Sequence, residues 1–361
     1  MNNESRTNKA FTLIELLVAI AILVIVLSFA GVIFRVSIDS HRTAIANAEI
    51  MQKLRAITDQ LNADFKGLRK DGEIFIVWTA SLKAGANPND PNSYERFDRI
   101  MFFADGDFQS YGVNHPIVHG NLARVCYMLA RRGGIGGIKA EDQPREKRIL
   151  ARTQHILTAD TRFAGSRDPI GTSSEQEWYD WNNKLEYEYD SNSLEKWKNI
   201  PWQNKQNMLS VITDVKVDSP TVPDRVWGAN VNPADPSSIH KLLCEGVGKF
   251  KVQGWSYDAQ QKRWRWVPEV DPDGNGDLTD SDFFMDSSGR VPGVLYPYPP
   301  YGMVSLGGVF KGNSFQGLLN EASFDSIPGL GRALKFTFTL YDSKGVIKNG
   351  RTFTHIVYLG D

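Results

Sequence analysis

Apolar residues occur along this chain in three patterns, and each predicts a different element. Phe11 to Phe34 is an almost unbroken apolar run, FTLIELLVAIAILVIVLSFAGVIF. At 1.5 Å of rise per residue, a helix of this length crosses a hydrocarbon layer of about 30 Å. Beyond Arg35, apolar residues recur at Ala44, Ile45, Ala48, Met51, Leu54, Ile57, Leu61, Phe65 and Leu68. Steps of three and four make one apolar face of an amphipathic helix. Arg42, Glu49, Lys53, Arg55 and Asp59 fall on the other face. Gly67 and the turn Lys70-Asp71-Gly72 end the pattern. The two stretches are continuous, so one helix from Phe11 to about Lys66 is expected, on the order of 80 Å long.

The third pattern is a series of short β-rich runs. They are Glu73 to Trp78, Arg99 to Phe103, Arg124 to Leu129 and Arg148 to Arg152. Lys249 to Trp255 and Arg263 to Val267 largely alternate on either side of a short connection, which predicts a hairpin. Ala333 to Tyr341 puts Leu334, Phe336, Phe338 and Leu340 on one face, and Thr352 to Leu359 is rich in β-branched and aromatic residues. Asn349-Gly350 marks a turn between these two runs. The expected architecture is α+β: a long N-terminal helix packed on an antiparallel sheet. Residues of about 156 to 240 interrupt it with a polar stretch carrying Trp178, Trp181, Trp197, Trp202 and Trp227, read as an insertion with little regular structure. Those aromatics either form a binding face or pin loops by packing.

The N-terminus does not read as an ordinary signal peptide, in which a small-residue cleavage site follows the apolar core. Here the small residue, Ala10, precedes the run, after the polar leader MNNESRTNKA. A cut after Ala10 removes only the leader and keeps the whole membrane helix. Arg6 and Lys9 favour a cytoplasmic leader with the C-terminal bulk translocated, although Arg35 and Arg42 on the far side weaken that asymmetry. Glu15 is a carboxylate in a segment that meets hydrocarbon. Its cost there is a few kcal/mol, so it calls for a partner or a function. It lies four residues after Phe11, so the amine created by cleavage is one helical turn away within a subunit. Between neighbouring subunits the same pair neutralises two charges in a greasy interior.

Ala10-Phe11-Thr12-Leu13-Ile14-Glu15 resembles the processing site of type IV prepilins and type II secretion pseudopilins. The resemblance implies that a prepilin peptidase cuts before Phe11 and methylates its amine, and that Glu15 guides subunit docking. Ala10 stands where the family usually has Gly. Further on, Val125 to Tyr127, Leu150 to Arg152, Phe250 to Trp255 and Pro328 through Tyr358 resemble, in order, the strand motifs of the larger J-type minor pseudopilins. This implies a pilin-like fold with four parts. Residues 1–10 are a cleavable leader, 11–34 a transmembrane helix, 35–68 its amphipathic continuation and 69–361 a periplasmic head. The implied role is a minor pseudopilin at or near the tip of a type II secretion pseudopilus, held by one pass in the inner membrane. Its partners are then other pilin-like subunits, the prepilin peptidase, an inner-membrane assembly platform and secreted cargo. The alternatives are a minor pilin of a type IV pilus, or a membrane-anchored, calcium-dependent ligand-binding module.

Composition changes this picture little. A formal charge of -1 over 361 residues gives no reason to expect nucleic acid as a partner. Cys126 and Cys244 are either a disulfide or two buried thiols. Asp271-Pro-Asp273-Gly-Asn275-Gly276-Asp277-Leu-Thr279-Asp280-Ser-Asp282 places oxygen side chains at positions one, three, five, nine and twelve of a calcium loop, with Gly at six. Asp282 replaces the longer Glu that closes such loops, and the flanks are not helical. Ca²⁺ held by Asp271, Asp273, Asn275, Asp277, Thr279 and Asp282 stands against an acidic surface turn built of the same residue types. His115 and His119 are separated by Pro116, which disfavours the helix a zinc pair needs. Neither a GxSxG elbow nor an HExxH helix is present, and catalysis is not expected.

Overall fold

A computed structural model describes residues 12–69, 74–82, 94–111, 116–133, 137, 138, 140, 142–163, 187–189, 230–234, 236–258, 263–267, 308–311, 314–317 and 333–359. Helix α1 runs unbroken over Leu13–Lys66. Thr12 caps it by accepting from the Glu15 amide, and Gly67 ends it, donating to the Asp64 and Phe65 carbonyls. The strands, in chain order, are β1 (Phe75–Leu82), β2 (Tyr94–Gln109), β3 (His119–Arg132), β4 (Ile149–Thr158), β5 (Tyr187–Tyr189), β6 (Asn230–Val231), β7 (Leu242–Glu245), β8 (Val247–Asp258), β9 (Arg263–Val267), β10 (Gly308–Lys311), β11 (Ser314–Gly317), β12 (Ala333–Leu340) and β13 (Arg351–Tyr358).

They form two main sheets, where the sequence pattern called for one. The first has the order β1-β2-β3-β4-β5, with β6 joined to β3 and β7 to β4; the second has the order β13-β12-β8-β9. Pairing is antiparallel except for β4–β5 and β3–β6, which are parallel. Both parallel partners come from the segment read as an irregular insertion, whose nominal first residues also lie inside β4. The sheets are stitched at Gly246, where the chain leaves β7 in the first sheet and enters β8 in the second. Its φ of 76° needs glycine, and an added Cβ would lie 2.9 Å from the Tyr341 carbonyl oxygen. A polar seam reinforces the joint. Arg148 donates to the Gly248 carbonyl at 2.7 Å and pairs with Glu95 at 2.9 Å, and the Asp98 carboxylate accepts the Val252 amide at 2.7 Å.

The second half of α1 lies against both sheets. Phe65 stacks on Phe102 of the first sheet at 4.2 Å and meets Phe336 of the second at 5.7 Å. Ile50, Ile57, Leu61 and Phe65 are buried with Val125, Tyr127, Phe250, Phe336 and Phe338 in one core. The packing face begins where expected from Leu54 onward but is rotated before it. Ala44, Ile45, Ala48 and Met51 are exposed, while Ala46 and Ile50 are buried. Glu49 and Lys53, placed by pattern on the polar face, explain the rotation. Lys53 donates to the Tyr341 carbonyl at 2.8 Å, and the Glu49 carboxylate accepts the Ser343 amide at 2.9 Å.

The connection that receives them includes the turn expected at Asn349-Gly350, where the Gly350 amide donates to the Ile347 carbonyl at 3.1 Å and Gly350 takes a φ of 63°. β12 and β13 pair through Leu340 and Arg351, so residues 341–350 form the loop. The Asp342 carboxylate organises it, accepting the Val346 and Ile347 amides at 2.9 and 2.8 Å. The hairpin of β8 and β9 forms as expected, with Trp255 opposite Trp266. Both cysteines are free thiols and buried. Cys126 pairs with Thr153 and Cys244 with Leu150. Thr153 and Leu150 are an odd number of residues apart on β4, so the two thiols lie on opposite faces of the sheet.

Candidate assembly site

The first half of α1 has no cover within the chain. From Leu13 to Ile38 every large apolar side chain is half or more exposed. An apolar surface of this extent on a 54-residue helix is matched by hydrocarbon or by neighbouring helices, not by water. Among the described residues, one helix is long and apolar enough to cross a membrane, and it is this one. Among the described residues, Glu15 is the only charged side chain between Leu13 and Phe34. It sits at the third helical position, where its carboxylate accepts the Thr12 amide and the Thr12 hydroxyl, both at 2.9 Å. The Glu15 amide in turn donates to the Thr12 hydroxyl at 3.3 Å, completing a reciprocal cap. Thr12, the residue after the predicted new terminus, therefore fixes the Glu15 carboxylate at the start of the helix. Ala10 and Phe11 lie outside the described residues, as do Asp271, Asp273, Asn275, Asp277, Thr279, Asp282 and His115. His119 opens β3, and its carbonyl accepts the Thr158 hydroxyl.

The other half of α1 is fixed to the head by a buried ion pair between Asp64 and Arg152. Asp64 is 6% exposed. Arg152 of β4 grips it in a fork, with Nε on Oδ2 and Nη2 on Oδ1, both at 2.7 Å. Tyr127 of β3, paired with Arg152 across the strands, donates its hydroxyl to the same carboxylate. Gln60 adds a donor from one turn earlier at 3.1 Å, and Gln154 accepts from Arg152 at 3.0 Å. Burial works against the Arg152 charge, but the Asp64 carboxylate outweighs it and holds the guanidinium protonated. Burial, then the Asp64 charge, push the Tyr127 phenol well above its ordinary range, so it stays a donor. A signal for this site existed. Asp64 follows Ile57 by seven residues and Leu61 by three, which places a carboxylate on the apolar stripe. The reasoning that singled out Glu15 applies equally to it.

A second contact ties β13 to the same helix, through His355 Nε2 and Asn62 Oδ1 at 2.9 Å. α1 thus has two distinct halves: one clamped on the head by charge and aromatic packing, the other presenting a mostly apolar surface from Leu13 to Phe34 with Ser28, bonded to the Val24 carbonyl, and one capped carboxylate. Such a helix joins a head to a membrane or to other such helices. Comparison of the chain with curated proteins and with solved structures finds no match. Residues 5–31 match the family model described as the prokaryotic N-terminal methylation motif, so the N-terminal segment of this chain is that of a type IV pilin-like prepilin.

Proposed function

We propose that the chain is a minor pseudopilin, a structural subunit at or near the tip of a type II secretion pseudopilus. The observation that carries this reading is the uncovered apolar half of α1 joined to a methylation motif. After cleavage before Phe11, that half leaves the bilayer side by side with other pilin-like helices. Glu15 then neutralises the terminal amine of a neighbour. The J-type assignment draws support from Tyr127 and Arg152. These are the last residues of the two short stretches that resemble J-type strand motifs, and they converge on Asp64. In this reading the head lies in the periplasm, and its bulk suits an end of the filament better than its repeating shaft. A minor pilin of a type IV pilus has the same N-terminal requirements. A calcium-dependent ligand-binding role for the head rests on the acidic loop from Asp271 to Asp282.

The decisive measurement is the intact mass of the protein isolated from membranes. A chain beginning at methylated Phe11 is expected, and a chain retaining Met1 overturns the prepilin reading. Deletion of the gene then separates the two machines: loss of an exported enzyme from the medium supports the pseudopilus, and loss of surface pili with secretion intact supports the pilus. Glu15→Ala is expected to leave processing intact and to remove the subunit from sheared filaments.

A further inference from the structure

We propose that the membrane-facing end of the head is a docking surface for anionic phospholipid headgroups. Three contacts fix which end that is. β13 meets α1 at Asn62 through His355, the Tyr341 carbonyl accepts from Lys53, and Ser343 binds Glu49. The second sheet therefore descends α1 toward its apolar half, and the loop of residues 341–350 closes the lower end. Ser343 is level with Glu49, on the order of 22 Å of helix above Phe34. Asp342, 2% exposed, holds the loop folded by accepting the Val346 and Ile347 amides. Outside that knot Lys344, Val346 and Lys348 are exposed. On α1, Arg42 and Arg35 precede Glu49 by seven and fourteen residues. Each step of seven returns to the same side of a helix within about 20°. The two arginines therefore stand beneath the loop, on the side of α1 that faces Ser343. Ile38 and Ile45, 52% and 45% exposed, lie on that side too.

Charge selects the ligand. Among the described residues, none of Arg35, Arg42, Lys344 and Lys348 forms an ion pair. The acids closest to the loop are committed elsewhere: Glu49 binds Lys53 and Ser343, and Asp342 binds its own loop. With Asp39 counted, the group of four cations keeps a net charge of +3. Phosphodiester headgroups complement it. Tilt brings the two together. The run from Phe11 to Phe34 is about 36 Å long as a helix, against a hydrocarbon layer of about 30 Å, and a span longer than the layer tilts. Interfacial cations set the direction of such a tilt. A lean toward the second sheet lowers the 341–350 loop onto the headgroups and lays Ile38 and Ile45 against the interface, with the arginines reaching phosphates on either side. Arg35 and Arg42 run against the usual charge asymmetry of a membrane span, and a headgroup partner in their own leaflet accounts for them. The proposal rests on α1 crossing a bilayer and not on the pseudopilus assignment.

The test places the full chain in nanodiscs of phosphatidylcholine alone, or of phosphatidylcholine and phosphatidylglycerol in equal parts. Lysines are acetylated briefly and their modification is read by mass spectrometry. Lys344 and Lys348 are expected to react at least fivefold more slowly in the anionic discs. Lys66, exposed at the far end of α1, is expected to react equally in both. High salt is expected to remove the protection. Arg35→Gln with Arg42→Gln, both at exposed positions, is expected to reduce it at least twofold with the circular dichroism spectrum unchanged. Equal reactivity of Lys344 and Lys348 in the two lipids overturns the proposal. So does equal protection of Lys66, which reports a general slowing of the reagent at a charged surface. Protection that follows the number of chains per disc instead of the anionic lipid assigns the loop to a second copy and overturns it too. A chain that enters neither disc overturns the bilayer reading itself, whereas an inserted chain with equally reactive lysines overturns the docking surface alone.

Discussion

Arg152 holds Asp64 through two parallel N–H···O contacts of 2.7 Å across the boundary between helix and sheet. This pair sets the rotation and height of α1 on the head, because the fork admits one geometry while the surrounding Phe65 and Leu61 contacts admit several. Removing one partner strands a buried charge. Asp64→Ala is therefore expected to cost about 3–5 kcal/mol in chemical denaturation of the detergent-solubilised protein. The double variant Asp64→Leu with Arg152→Met removes both charges and is expected to cost much less than the two single changes summed. Additive costs sink the ion-pair account.

Close backbone approach is the second constraint on that interface. The Gly67 carbonyl accepts the Asp105 amide at 2.6 Å, and an added Cβ would collide with the Asp105 carbonyl. Gly67→Ala is expected to cost about 2 kcal/mol or more, since backbone on both sides has to move. Gly246→Ala combines a φ of 76° with the contact to the Tyr341 carbonyl and belongs in the same class. Gly345→Ala is the control: its φ is 66° but the space around it is open, so only the about 1–2 kcal/mol of left-handed strain is expected. Equal effects at Gly246 and Gly345 refute the steric part of this account.

Much of this was legible in the chain. The helix length and the hairpins of β8–β9 and β12–β13 follow from period and alternation, and Glu15 stands out as one misplaced carboxylate; its reciprocal cap with Thr12 comes from the structure. The rotation of α1 before Leu54 was not legible, because apolar and small residues occupy both sides of the helix from Ala44 to Ile50. What decides between the sides is Glu49 and Lys53 reaching residues almost 300 positions away. Period cannot report such a contact. The division into two sheets is hidden for a related reason. It depends on Gly246 interrupting what reads as one long run from Leu242 to Trp255. Asp64 was legible too, as a carboxylate on the apolar stripe of α1 outside the lipid-facing segment.

Acid is expected to weaken the head in two stages. Burial lowers the His355 pKa from 6.5, so the folded state binds fewer protons than the unfolded one below that value. Stability is then unaffected above pH 6.5 and falls as pH drops through the folded value. Asp342 behaves as a depressed carboxylate. Burial opposes ionisation, but the Ile347 and Val346 amides outweigh it and hold the pKa below 3.8. For Glu49, burial is likewise outweighed by Lys53 and Ser343, and its pKa lies below 4.5. Their contribution is present above those ordinary values and is lost as pH falls through the lower folded ones. Denaturation midpoints at pH 7.5, 5.5 and 2.5 check both stages. His355→Gln is expected to flatten the first and Asp342→Asn the second; an unchanged slope in either variant removes that group from the account.

The acidic loop yields a metal prediction that depends on none of these contacts. If Asp271, Asp273, Asn275, Asp277, Thr279 and Asp282 hold Ca²⁺, binding stabilises the fold by mass action, about 2.7 kcal/mol at a hundred times the dissociation constant. Calcium is expected to raise the melting temperature relative to EDTA, and Asp273→Asn with Asp277→Asn to abolish the rise. Ca²⁺ takes six to eight oxygens at about 2.3–2.6 Å in flexible geometry, whereas Mg²⁺ needs near-ideal octahedral geometry at about 2.0–2.1 Å, so Mg²⁺ is expected not to substitute. A melting curve indifferent to calcium identifies the loop as an acidic turn.

The cysteines give the sharpest test of the first sheet's register. Cys126 and Cys244 face opposite sides of β4's neighbours, because Thr153 and Leu150 point in opposite directions along one strand. A disulfide between them would require one strand to turn over, which slips its register by one residue and exposes every core side chain it carries. Burial raises both thiols to about 11, so neither is a reactive thiolate near neutral pH. Dithiothreitol is therefore expected to leave the melting temperature and the gel mobility unchanged. A maleimide reagent is expected to label neither cysteine in the native protein and both in denaturant. A native, reducible cross-link between Cys126 and Cys244 is incompatible with this pairing and would require a different strand register.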